Sequence, residues 1–160
     1  MELKGEKSKE AVNNYYQLAQ SQYQLGRFTE AMSNSDFIMT GMQGIKTELG
    51  KNFSFVASLY YMQRAHVAFA MGSHNLAKTA VEKGIELIKE FKPSGPEQEK
   101  EVAIRQRDML NLLTRVRAKL ENRPVNELRE EIATEQGLPT MFTNEYEKAT
   151  EALETKFAEV

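Results

Sequence analysis

Two stretches of this chain repeat one pattern around a glycine. Tyr15-Tyr16-Gln17-Leu18-Ala19-Gln20 runs through Tyr23 to Gly26 and on to Phe28 and Ala31, and Tyr61, Ala65, Ala68, Gly72 and Ala77 echo it. Aligning Gly26 with Gly72 sets Tyr15 on Tyr61, Ala19 on Ala65 and Ala31 on Ala77, an offset of 72 − 26 = 46 residues. Tyr15, Leu18 and Ala19 have helical spacing and share one side of a helix. Ala19 is small enough for a second helix to come close. Gly26 permits the sharp reversal that ends that helix. Phe28 and Ala31 open a second helix whose apolar side folds back on the first. Each copy is thus an antiparallel helical hairpin.

The order of an aromatic, Leu-Ala, Tyr23 and then Gly26-Arg27-Phe28 with Ala31 resembles the tetratricopeptide repeat. The second copy departs from it at Arg64, where a leucine is usual, and at His74, where an aromatic is usual. The 46-residue offset also exceeds the roughly 34 residues of the ordinary repeat. The surplus is expected in a lengthened second helix between Phe37 and Gly50. The resemblance covers roughly the first ninety residues. It implies an all-α fold, with hairpins stacked as a short right-handed solenoid of about seven helices, the last one a C-terminal cap.

Composition agrees with helix throughout. The 160 residues contain 9 Gly, 4 Pro, no Trp and no Cys, and are rich in helix-forming Glu, Lys, Ala, Leu and Gln. The length suits one domain with a substantial core. Its expected divisions are a first hairpin over 8–50, a second over 54–92, a degenerate third over 96–136 and a capping helix over 143–158. The expected signals along the chain are Ser8 as an N-cap, Ser73 capping helix four and Pro96 at a first-turn position ahead of Glu97, Glu99 and Glu101. In the Pro96 helix, Val102, Met109, Leu113, Val116 and Leu120 form one apolar stripe. Asn122-Arg123-Pro124 falls where a third turn is expected, although it lacks Gly. Gly137-Leu138-Pro139 closes the following helix. Thr143 caps a last helix carrying Tyr146, Ala149, Leu153 and Phe157 on one face.

The formal net charge of −2 provides no global attraction to nucleic acid or anionic lipid. The charged N-terminus has no apolar core segment, and no apolar run approaches the roughly 20 residues that cross a bilayer. A cytoplasmic location without membrane insertion is expected. The two histidines, His66 and His74, are not on adjacent turns of one helix, and the absence of cysteine excludes a thiol nucleophile and thiolate metal ligands. No phosphate loop, dinucleotide fingerprint or nucleophile elbow is present. The expectation is a non-enzyme without metal or cofactor.

What remains is a surface. In the resembled family the first helix of each hairpin lines a concave groove. Carried over position by position, that groove comprises Asn13, Tyr16, Gln20, Tyr23 and Gln24, then Leu59, Met62, His66, Phe69 and Ala70. Its tyrosine, amide and thioether character suits an amphipathic helix or an extended peptide of a partner protein. Tyr16, Gln20, Met62 and His66 stand where chaperone-tail clamps of the family carry Lys and Asn, so that subclass is disfavoured. A second candidate surface is the arc of about 80° holding Arg105, Arg115, Lys119 and Arg123. These cations either meet an acidic partner or flank the buried seam and pair with Glu101 and Glu121. The expected function is an adaptor or scaffold for protein partners. Its alternatives are a specialised chaperone for one client's apolar segment, or a module that self-associates as a homo-oligomer through the C-terminal helix.

Overall fold

The computed structural model describes residues 8–139. The expected last helix, with Thr143, Tyr146, Leu153 and Phe157, lies outside the described residues. Within them the chain is helical and contains no strand. The elements are α1 (Lys9–Gln24), α2 (Phe28–Met42), the single turn α3 (Lys46–Leu49), α4 (Phe53–Ala70), α5 (His74–Glu90), α6 (Pro96–Glu121) and α7 (Val125–Gln136). The expected seven helices do not map onto these one for one. α3 is a turn inside the expected second helix, and the expected seventh is not among the described residues.

Local chemistry accounts for most boundaries. The Ser8 hydroxyl accepts from the Ala11 N–H at 3.0 Å, filling one of the donors that α1 leaves open. Pro96 opens α6 where its missing N–H costs nothing. Gly26 and Gly72 end α1 and α4 with φ of +78° and +80°. The same closure follows each: Arg27 N–H donates to Gln22 O at 2.8 Å, and Ser73 N–H to Ala68 O at 2.9 Å. The α6 terminus closes identically without glycine. Asn122 takes the left-handed conformation at φ 53°, and Arg123 N–H donates to Ala118 O at 3.2 Å. Ser73 departs from expectation and makes no side-chain cap bond, because its ψ of 70° turns the hydroxyl away from an extended-cap geometry.

The long second helix is also not observed. α2 spans 15 residues and stops at Met42, and the surplus is an irregular connector: a 3-10 turn Gln43–Ile45, α3, and a second 3-10 turn Gly50–Asn52. Gly41 and Gly44 weaken the helix there, while the fully buried Ile45 and the buried Met42 pull the chain inward.

Each helix packs chiefly on its neighbours in the chain. α1 lies against α2, α2 against α4, α4 against α5, α5 against α6 and α6 against α7, and α4 also touches α1 and α6. Cross-pairs fix the hairpins as antiparallel: Tyr15 stacks on Phe37, and Phe55 and Phe69 meet Phe91 and His74. Small residues let the backbones approach. Ala19, Ala31, Ala65 and Ala77, the aligned alanines of the two copies, are all fully buried. Larger side chains fill the rest of the core, with Ile85, Ile88, Met109, Leu113, Leu128 and Ile132 joining α5, α6 and α7. In the α6 stripe Met109, Leu113 and Val116 are buried as expected, whereas Leu120 is 37 % exposed at the helix end. Leu18 likewise stands apart from Tyr15 and Ala19 and is 48 % exposed.

Candidate functional site

Helices α1, α4 and α6 present one face, and most of the expected groove residues meet on it. At the N-terminal end, Asn13, Tyr16 and Leu59 line a cavity of about 490 Å³ together with Leu49, Val56 and Tyr60. The Tyr16 and Tyr60 rings lie 5.4 Å apart, and burial pushes both phenols up. Further along, Gln20, Tyr23, Gln63 and His66 enclose a smaller cavity of about 180 Å³. His66 then faces a third cavity of about 550 Å³, shared with Met62 and with Asp108, Asn111 and Arg115 of α6. Burial, reinforced by the Arg115 charge, holds the His66 imidazole below its ordinary value, and Asp108 opposes this. Gln24 and Ala70 are exposed and line none of these cavities.

Three of the four α6 and loop cations border a residue of the expected groove. Arg115, Lys119 and Arg123 line a cavity of about 540 Å³ with Phe69 of α4, so the two expected sites are contiguous. The Arg115 guanidinium lies 5.1 Å from the Phe69 ring centroid. Arg105 sits 4.4 Å over the Phe55 ring and donates to Phe55 O at 3.2 Å. The expected pairing with Glu101 and Glu121 is realised only in part. Arg123 binds Glu121 and Glu131, whereas Arg115 and Lys119 make no ion pair with a described residue. The strongest Glu121 partner is Arg117, which sequence reasoning did not select. It bonds Glu121 and Glu135 and lies within 3.7 Å of Glu131.

Sequence reasoning also missed Gln63. This side chain is 5 % exposed between α1 and α4, and its Nε2 donates to Tyr16 O at 3.0 Å and to Gln20 Oε1 at 3.2 Å. Nothing in the sequence singled it out, since Arg64 and His66 follow it as polar neighbours on the same helix. Asp108 and Asn111 were legible, at helical spacing from Arg115. Among the described residues no group of three or more His, Asp or Glu could hold a metal ion. No described helix is long and apolar enough to cross a membrane.

Stacked antiparallel helical hairpins are the architecture of helical-repeat proteins. Residues 59–91, which span most of α4 and all of α5, match the family model described as Tetratricopeptide repeat. The matched span is the copy that departs from the pattern at Arg64 and His74, and both departures have partners. Arg64 donates to Ser35 Oγ and Asp36 Oδ1, each at 2.9 Å, and the His74 ring packs on Phe69. No curated protein and no solved structure matches the chain.

Proposed function

We propose that this chain is a non-enzymatic interaction module that holds a segment of a partner protein along the face built by α1, α4 and α6. Tetratricopeptide repeats generally mediate protein–protein contacts, and residues 59–91 match such a repeat. The observation that carries the reading is the continuity of the lining. Tyr16 and Leu59 line one cavity, and Gln20, one helical turn further along α1, lines the next with Tyr23 and His66; His66 is shared with the cavity of Met62 and Arg115, and Arg115 with that of Phe69 and Lys119. Half-buried aromatics beside exposed cations suit a segment that supplies apolar anchors and acidic flanks. In this reading α6 and α7 form a third repeat, and the module is an adaptor or scaffold.

The test is capture of partners from cell extract by the parent protein and by a His66→Ala/Arg115→Glu variant of unchanged helicity. Arg115 is exposed and His66 only partly buried, so the fold is expected to persist. A protein recovered by the parent and lost by the variant supports the groove. Identical recovery by both refutes it.

A further inference from the structure

One edge of α1 carries a stripe that stays open to solvent at its leucines. Ala11, Tyr15, Leu18, Gln22 and Leu25 recur at steps of 4, 3, 4 and 3, the spacing of a seam between two helices. At 100° per residue they fall within an arc of about 80°. Leu18 is 48 % and Leu25 70 % exposed, whereas Val12 and Ala19 on the core side of the same helix are fully buried. Helix α2 extends this face. Phe37, also exposed, stacks on Tyr15, and Asn34 Nδ2 donates to Gln22 Oε1 at 2.7 Å. From Ala11 to Gly26 there is no charged residue, in a chain of which 28 % is charged. A terminal hairpin of a repeat array needs a polar outer face to stay soluble, and this stripe does not supply one. Tyr16, Gln20 and Tyr23, which line the groove cavities, centre about 150° away around α1, so the stripe is a separate surface.

We propose that this face is the interface of a homodimer, in which α1 packs antiparallel on α1 of a second copy across a two-fold axis beside Leu18. The stripe complements its own reverse. Turned about Leu18, it sets Ala11 against Leu25 and Tyr15 against Gln22 of the second copy, so a small side chain meets a large one. The Gln22 Oε1 is taken by Asn34, and its NH₂ is left to donate to the Tyr15 hydroxyl of the second copy. With no charge on the stripe, symmetry brings no like charges together, and nothing selects an acidic or basic partner instead. The footprint fits a reversible pair. The 16 residues of α1 extend about 24 Å and two helices side by side are about 20 Å wide, so the two copies cover roughly 1,000 Å² in total. That is the low end of specific interfaces, where association is weak and depends on concentration. Both grooves stay open in such a dimer, and the inference does not rest on the groove reading.

Sedimentation equilibrium of the full chain from about 5 to about 500 µM tests this. The expected result is a monomer–dimer transition with Kd on the order of 100 µM. Leu18→Glu sets two carboxylates beside the axis and is expected to raise Kd at least about tenfold, with helicity unchanged because the site is half exposed. Leu120→Glu, at an exposed leucine on α6, should leave Kd within about twofold. A monomer at every concentration overturns the proposal, as does a dimer that survives both Leu18→Glu and Leu25→Glu. Equal weakening by Leu120→Glu also overturns it. Loss of the dimer in about 0.5 M NaCl would mean that charged contacts hold it, which is again a refutation. If Leu18→Glu does not fold, Leu25→Glu, at the more exposed position, carries the test.

Discussion

The guanidinium of Arg115 on α6 lies 5.1 Å from the ring centroid of Phe69 on α4, joining a cation and an aromatic from two candidate surfaces into one. Arg115 is exposed and makes no ion pair with a described residue, so its contribution to the fold is small. A cation–π contact at an exposed site is worth about 0.5–1 kcal/mol. Arg115→Ala is expected to lower stability by no more than about 1 kcal/mol in urea unfolding. A loss above about 2 kcal/mol would make Arg115 a structural residue and disqualify it as a probe of the surface.

Arg64 stands where the repeat pattern has leucine, and it reaches from α4 to α2. Its Nη1 donates at 2.9 Å both to the buried Ser35 hydroxyl and to the Asp36 carboxylate, which is 62 % exposed. The exposed end of this arrangement is screened, and the bond to Ser35 is the stronger anchor. Arg64→Ala is expected to cost about 1–2 kcal/mol and Asp36→Asn less than about 1 kcal/mol. Equal losses from the two variants in denaturant titrations would contradict this division.

Helix boundaries were legible because short-range chemistry sets them. Ser8, Gly26, Gly72, Pro96 and Gly137 act through one or two hydrogen bonds or one backbone angle, all local in sequence. What was not legible depends on how each helix is rotated toward its neighbours. Periodicity placed Arg105, Arg115, Lys119 and Arg123 on one arc but could not say that the arc faces Phe55 and Phe69. Leu18 fits the same helical spacing as Tyr15 and Ala19 and still faces solvent, since only neighbouring helices decide which edge of a stripe is covered. Gln63 was missed for the same reason. Its two acceptors come from α1, more than forty residues away in sequence, as the separations of 47 and 43 show.

His66 should make stability depend on pH. Burial and Arg115 lower its pKa from the ordinary 6.5, with Asp108 opposing and Tyr23 packed beside it. The folded state therefore disfavours the imidazolium, and the unfolded chain takes up the proton first. Stability contributed by the neutral ring is full above pH 6.5 and declines as pH falls from 6.5 toward the lower folded value. Thermal unfolding of parent and His66→Gln between pH 8 and pH 5 is expected to show a steeper acid-side decline in the parent. Parallel profiles would refute the assignment.

Gly84 sits inside α5 at a crossing with α4 and α6. A Cβ there would meet Met109 Cε at 3.4 Å, Ser58 O at 3.5 Å and Tyr61 Cβ at 3.6 Å. The tightest of these neighbours is the tip of a flexible side chain, and Ala gains up to about 1 kcal/mol over Gly in a helix interior. Gly84→Ala is thus expected to be neutral to stabilising by about 0.5 kcal/mol, while Gly84→Leu should cost at least about 2 kcal/mol through overpacking. Destabilisation by the alanine would show that the crossing has no slack.

Arg117 ties α6 to α7. It bonds Glu121 on its own helix and Glu135 on α7, lies 3.7 Å from Glu131, and its side chain is 13 % exposed. Replacing it removes these bonds and leaves three carboxylates close together. Arg117→Met keeps most of the apolar stem and is expected to cost about 1–2 kcal/mol at neutral pH, with α7 amides exchanging faster than those of α5. The bond from Arg117 holds the Glu121 carboxyl below its ordinary 4.5. This contribution is present above pH 4.5 and is lost as pH falls through the lower folded value, because protonation removes the acceptor's charge. The difference between parent and variant should therefore shrink toward pH 3. A difference that stays constant from pH 7 to pH 3 would mean that the Arg117 stem, packed against α6 and α7, matters more than its charge.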